Sequence, residues 1–90
     1  HGDADGTVPY ALAQNAVDAF GPPWRLITLV GGEHIPPYVT GTADPYGEVV
    51  TDATLAFFDA TLKADPTGQA RLERVVSQAG ADVAILNTGE

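Results

Sequence analysis

The sequence predicts an α/β fold: part of a mostly parallel, helix-covered sheet, ordered helix–strand–helix–helix, with one buried strand at about residues 25–30. Two observations carry that expectation. "WRLITLVG" (Trp24–Gly31) holds Leu26, Ile27, Leu29 and Val30 in a nearly continuous apolar run bounded by Pro-Pro and Gly-Gly. Such a run suits a strand covered on both faces, the usual setting of a parallel sheet. Around it lie three stretches whose apolar residues recur at helical spacing.

Residues 1–8 are polar and rich in Gly and Asp, a loop composition. Pro9 suits a first helical turn, where its missing N–H costs nothing. Leu12, Ala13, Ala16, Val17 and Phe20 follow at helical spacing, and Gly21 with Pro22-Pro23 stops this helix, expected over about 9–20. Trp24 is expected to pack over or cap the start of the strand. Residues 31–45 are irregular, and Asp44-Pro45 then opens a helix over about 46–64. Val49, Val50, Ala53, Phe57 and Ala60 form one face, with Leu55, Phe58 and Leu62 beside it; Phe57 and Phe58 are expected in the core. Asp65-Pro66 repeats the start signal for a third helix over about 66–79, with Ala70, Leu72, Val75, Val76 and Ala79 apolar and Gly80 as its stop. "DVAIL" (Asp82–Leu86) is a candidate closing strand.

A lone buried strand needs hydrogen-bonding neighbours on both edges. The 90 residues therefore look incomplete as a sheet, and the isolated chain is expected to be poorly folded, dimeric or aggregation-prone.

Composition narrows the functional classes. The net charge is −8, and the four cationic residues (Arg25, Lys63, Arg71, Arg74) are scattered, which argues against nucleic-acid partners. The absence of cysteine excludes disulfides, thiolate chemistry and Cys-ligated zinc. No apolar run is long enough for a membrane-spanning helix. No cofactor is expected.

Two corners carry the candidate chemistry. "HGDADGTVPY" places Asp5 just before the first helix, and "GGEHIPPY" places His34 just after the buried strand. In an open α/β sheet the loops leaving strand ends share one functional edge. A carboxylate bonded to one imidazole nitrogen fixes the tautomer and frees the other nitrogen to take a proton from a nucleophile.

These corners, with the helix "TLAFFDATLKAD", resemble the C-terminal portion of an α/β-hydrolase. His1, Gly2, Asp5, Val8 and Pro9 match that family's acid loop, H-G-x-x-D-x-x-V-P, and Gly32-Glu33-His34 matches its Gly-x-His loop. The resemblance covers residues 1–65 as hydrolase domain, with 66–90 as a helical extension. It implies Asp5 as the catalytic acid, His34 as the general base, and a carboxylic ester as substrate, as in lipases, esterases and dienelactone-hydrolase-like members. Peptidase members share the triad. The nucleophile elbow G-x-S-x-G is absent. Ser77, within "RVVSQAG", has no glycines at that spacing, and no oxyanion-hole loop is present. The chain is thus expected to be the C-terminal third of a serine hydrolase, inactive alone, whose missing N-terminal part supplies the serine.

Plainer roles stand beside these. Asp5 is a turn residue in "DADG" if the motif is set aside. Asp3 suits a loop-stabilising role and His1 a bond to loop backbone. Glu33 is a polar loop group, and Tyr38 either packs or lines a substrate pocket. Two further classes remain: a non-catalytic module that folds with a partner chain, and a metal fragment built from His1, Asp3, Asp5 and His34.

Overall fold

The structure, a computed structural model, describes residues 1–38 and 44–90; the 39–43 part of the expected irregular stretch lies outside the described residues. Among the described residues three helices and two strands run in the order α1 (Tyr10–Phe20), β1 (Trp24–Leu29), α2 (Tyr46–Leu62), α3 (Gly68–Ala79) and β2 (Ala84–Gly89), with a short 3-10 turn at Pro36–Tyr38. This is a small mixed α/β domain.

Pairing departs from the expected parallel sheet. β1 pairs antiparallel with β2, from Trp24 opposite Gly89 to Leu29 opposite Ala84. The closing strand is therefore real but lies further along the chain than Asp82–Leu86. Local apolar pattern marks a strand but not the direction of its partner, which depends on how α2 and α3 carry the chain back. Along its other edge β1 meets the chain start in parallel. The His1 main-chain nitrogen donates to Ile27 C=O at 2.9 Å, Leu29 N–H to His1 C=O at 2.9 Å, and Asp3 N–H to Leu29 C=O at 3.2 Å. Gly2 and Leu29 thus form a parallel bridge.

Strand alternation divides β1 between two layers. Ile27 and Leu29 face α2 and α3, where Leu29, Val49, Val76 and Ala84 form one buried cluster. Ala53, Ala56 and Leu72 form a second, packed against Ile27. Thr28 points the other way, and its Oγ1 hydrogen-bonds the Tyr10 hydroxyl of α1. β1 is not buried on both faces along its length: only Thr28 and Leu29 are buried, because α1 covers little of it and buries no residue of its own. Leu12 and Phe20 remain exposed.

The buried seam of α2 is Val49, Ala53 and Ala56, at helical spacing. Phe57 (40 % exposed) and Phe58 (48 % exposed) flank it instead of filling the core. The reason is close helix packing: a Cβ on Gly68 would lie 2.6 Å from Ala60 Cβ, so α3 approaches α2 where both residues are small. Leu72 and Val76 of α3 fill the contact while Ala70 faces outward. Removing Leu72, only 2 % exposed, should therefore be costly. Leu72→Ala is expected to destabilise by about 2–5 kcal/mol, read from urea unfolding, whereas Ala70→Ser should be nearly silent.

The N-caps of α2 and α3 are Pro45 and Thr67, not the expected Asp44 and Asp65, which sit one and two residues further out and bond the turns leading in. Asp44 Oδ1 accepts Tyr46 N–H at 2.8 Å, and Asp65 Oδ1 accepts Thr67 N–H at 2.9 Å. Gly21 (φ 72°) ends α1. Arg71 Nη2 bonds both Asp59 (2.8 Å) and Asp65 (3.0 Å), clamping the α2–α3 turn. Trp24 lies against Gly89, its cross-strand partner, where any Cβ would collide with the indole. No helix is long and apolar enough to cross a membrane among the described residues.

Candidate active site

The two corners meet at the end of β1. After Leu29 the chain turns at Gly31, whose φ of 76° favours glycine. Asp3 Oδ1 accepts the Gly31 N–H at 2.7 Å, and Ala4 N–H donates to Gly32 C=O at 3.0 Å. These bonds tie the loop carrying Asp5 directly to the loop carrying His34. The crossing is possible because Gly2 and Gly32 lie back to back: a Cβ on Gly2 would overlap the Gly32 carbonyl, and one on Gly32 would sit 3.0 Å from Leu29 Cβ.

Asp5 is held from both sides. Its Oδ1 accepts the N–H groups of Thr7 (2.8 Å) and Val8 (2.7 Å), the short-range bonds typical of Asp in a turn. Its Oδ2 lies 2.8 Å from His34 Nδ1. The Asp5 side chain is 4 % exposed, that of His34 43 %. Desolvation alone would raise the Asp5 pKa. The Val8 N–H, the His34 ring, the Thr7 N–H and the charge of His34 outweigh it and bring the value down to about 2. Burial and then the Asp5 charge raise the Tyr38 phenol above its ordinary value.

An ionised carboxylate only accepts, so the bond requires the proton on His34 Nδ1. In the neutral ring Nε2 then carries a lone pair. Among the described residues no other hydrogen bond to this ring is formed. An open concavity beside it is lined by Ala4, Gly6, Thr7, Glu33, Ile35 and Pro36. With its tautomer fixed and its side chain 43 % exposed, such a ring can chemically serve as a proton acceptor through Nε2.

His1 Nε2 bonds Val8 C=O at 2.9 Å and lies 3.4 Å from Asp5 Oδ2. Ser77 sits on the exposed side of α3, an element outside both loops. Tyr38 is half exposed and, with His1, lines an apolar groove together with Ile27, Val50, Ala53 and Phe57. Among the described residues no group of three or more His, Asp or Glu side chains is placed to hold a metal ion. The sequence signal for the Gly2–Gly32 crossing is a glycine in each corner.

Because the Asp5 pKa falls on folding, its carboxylate stabilises the fold above the unfolded value of 3.8. That contribution is lost as pH falls from there to about 2. Asp59 and Asp65, also lowered by hydrogen bonds and cations, act in the same direction. Urea midpoints of wild type and Asp5→Asn should therefore differ most at neutral pH and converge through this acid window. A constant difference would assign the effect to something other than Asp5 ionisation.

No protein-family model, curated protein or solved structure matches this chain.

Proposed function

We propose that Asp5 and His34 are the acid and base of a serine hydrolase acting on carboxylic esters, with nucleophile and oxyanion donors supplied by sequence outside these 90 residues. The observation that carries this is the 2.8 Å contact between His34 Nδ1 and Asp5 Oδ2, together with the exposure of His34. The match of both loops to the α/β-hydrolase pattern supports it and suggests the ester. His34 Nε2 takes the serine proton as the oxygen attacks the ester carbonyl. Asp5 stabilises the imidazolium, which then gives its proton to the departing alcohol. The deacylating water repeats the cycle. A positioned base contributes about 10²–10⁴ in rate, and only where a nucleophile is present to use it.

The test is p-nitrophenyl acetate hydrolysis by protein expressed from its complete coding region. Turnover should be lost in His34→Ala, and the 90-residue chain by itself should show none. Turnover by the 90-residue chain that depends on His34, or turnover indifferent to His34→Ala in the complete product, would contradict the proposal.

A second reading, a non-catalytic module that folds with a partner chain, rests on a different observation. An apolar groove lined by Leu26, Ile27, Val50, Ala53, Phe57 and Phe58 is open at the surface, and Phe57 and Phe58 are 40 % and 48 % exposed. On that reading His34→Ala leaves partner binding unchanged and there is no turnover to lose.

A further inference from the structure

We infer that His1 is the positioning residue of the Asp5–His34 pair, an inference that rests on the catalytic reading of that pair for its functional meaning. Val8 is bonded at both of its polar backbone atoms. Its N–H donates to Asp5 Oδ1 at 2.7 Å, and its C=O accepts from His1 Nε2 at 2.9 Å. The same His1 nitrogen lies 3.4 Å from Asp5 Oδ2, the oxygen that faces His34. His1 and Asp5 thus close a ring through one residue, and the carboxylate plane is held by contacts on both oxygens.

The direction of these bonds sets the tautomers. A carbonyl only accepts, so His1 must carry its proton on Nε2. His34 must carry its proton on Nδ1, facing the carboxylate. Two imidazoles therefore flank one carboxylate with opposite tautomers. His1 is itself anchored, since its main chain bonds Ile27 and Leu29 of β1 and its ring lies 6.0 Å from that of Tyr10. It transmits the position of β1, which carries the His34 loop at its end, to the loop that holds Asp5. His1 touches neither the proton in transit nor the space in front of His34, so its role is orientation.

In protein expressed from its complete coding region, with histidine rings ¹⁵N-labelled and carbonyls ¹³C-labelled, the His1 and His34 ring systems are assigned by the signals lost in His1→Gln and His34→Gln. With both rings neutral, His1 should show the Nε2–H tautomer and His34 the Nδ1–H tautomer. A scalar coupling across the hydrogen bond should join His1 Nε2–H to the Val8 carbonyl carbon. In His1→Ala the protected His34 Nδ1–H signal should be lost, while His1→Gln, whose amide can still donate to Val8 C=O, should restore it. The inference is overturned if His1 in the unmutated chain carries its proton on Nδ1, if the coupling to Val8 is absent, or if His34 keeps its signal in His1→Ala. The first two results are read on the unmutated protein. A failure of the catalytic reading is seen separately, as ester turnover that does not depend on His34.

Discussion

Replacing Asp5 with Asn should reverse the His34 tautomer and cost about 10⁴-fold in ester turnover of the complete protein, the loss expected when a triad histidine presents the wrong nitrogen. The Asn carbonyl oxygen can still accept the Thr7 and Val8 N–H groups, now bonded to Asp5 Oδ1, so the loop keeps its shape. The amide NH₂ then occupies the place of Oδ2, 2.8 Å from His34 Nδ1. Two donors cannot face each other, so His34 moves its proton to Nε2. The ring remains in place with its outward nitrogen unable to accept. Turnover and imidazole ¹⁵N shifts measure the two halves of this claim. Wild-type turnover with His34 still protonated on Nδ1 would contradict it.

The second large effect should come from Gly2→Ala, a change of one methyl group. That methyl would overlap the Gly32 carbonyl, a backbone atom that cannot rotate aside. The two loops must separate, at a cost of about 1–3 kcal/mol by analogy with overpacked cores. The Ala4 N–H to Gly32 C=O bond is broken as they part. Since this crossing sets the distance between Asp5 and His34, turnover and the His34 Nδ1–H signal should fall with stability. Gly6→Ala, in the same loop but with nothing within 4 Å of the added Cβ, is the control for stability and for the His34 Nδ1–H signal, and should leave both nearly unchanged. Equal effects at the two glycines would show that loop flexibility, and not the crossing, governs the site.

The contrast between these glycines indicates what a sequence makes legible here. The helices could be placed because their determinants are local: Pro9 and Gly21 around α1, and the Asp44 and Asp65 side chains ahead of α2 and α3. Asp5 and His34 were legible as candidates because each sits in a loop pattern of few residues. What was not legible is non-local. The antiparallel partner of β1 is the chain's own last strand, whose segment "AILNTG" carries a weak apolar pattern, so neither its extent nor its direction could be read. Phe57 and Phe58 looked like core because they are large and apolar. The core instead follows the small residues, since Ala53, Ala56, Ala60 and Gly68 let α2 and α3 approach. β1 is less covered than its apolar run suggests for a related reason: α1 has an apolar face, but little of it reaches the strand. The brace from His1 through Val8 to Asp5 depends on a loop closing on itself, which spacing alone does not reveal.

The most direct test of the catalytic account is covalent trapping. Protein expressed from its complete coding region, treated with a fluorophosphonate and digested, should yield one phosphonylated serine peptide lying outside these 90 residues. Its labelling rate should fall about 10³-fold or more in His34→Ala, as expected when a nucleophile loses its base. No adduct, an adduct on Ser77, or labelling that proceeds at the same rate without His34 would contradict the assignment of Asp5 and His34 as the acid and base of a serine hydrolase.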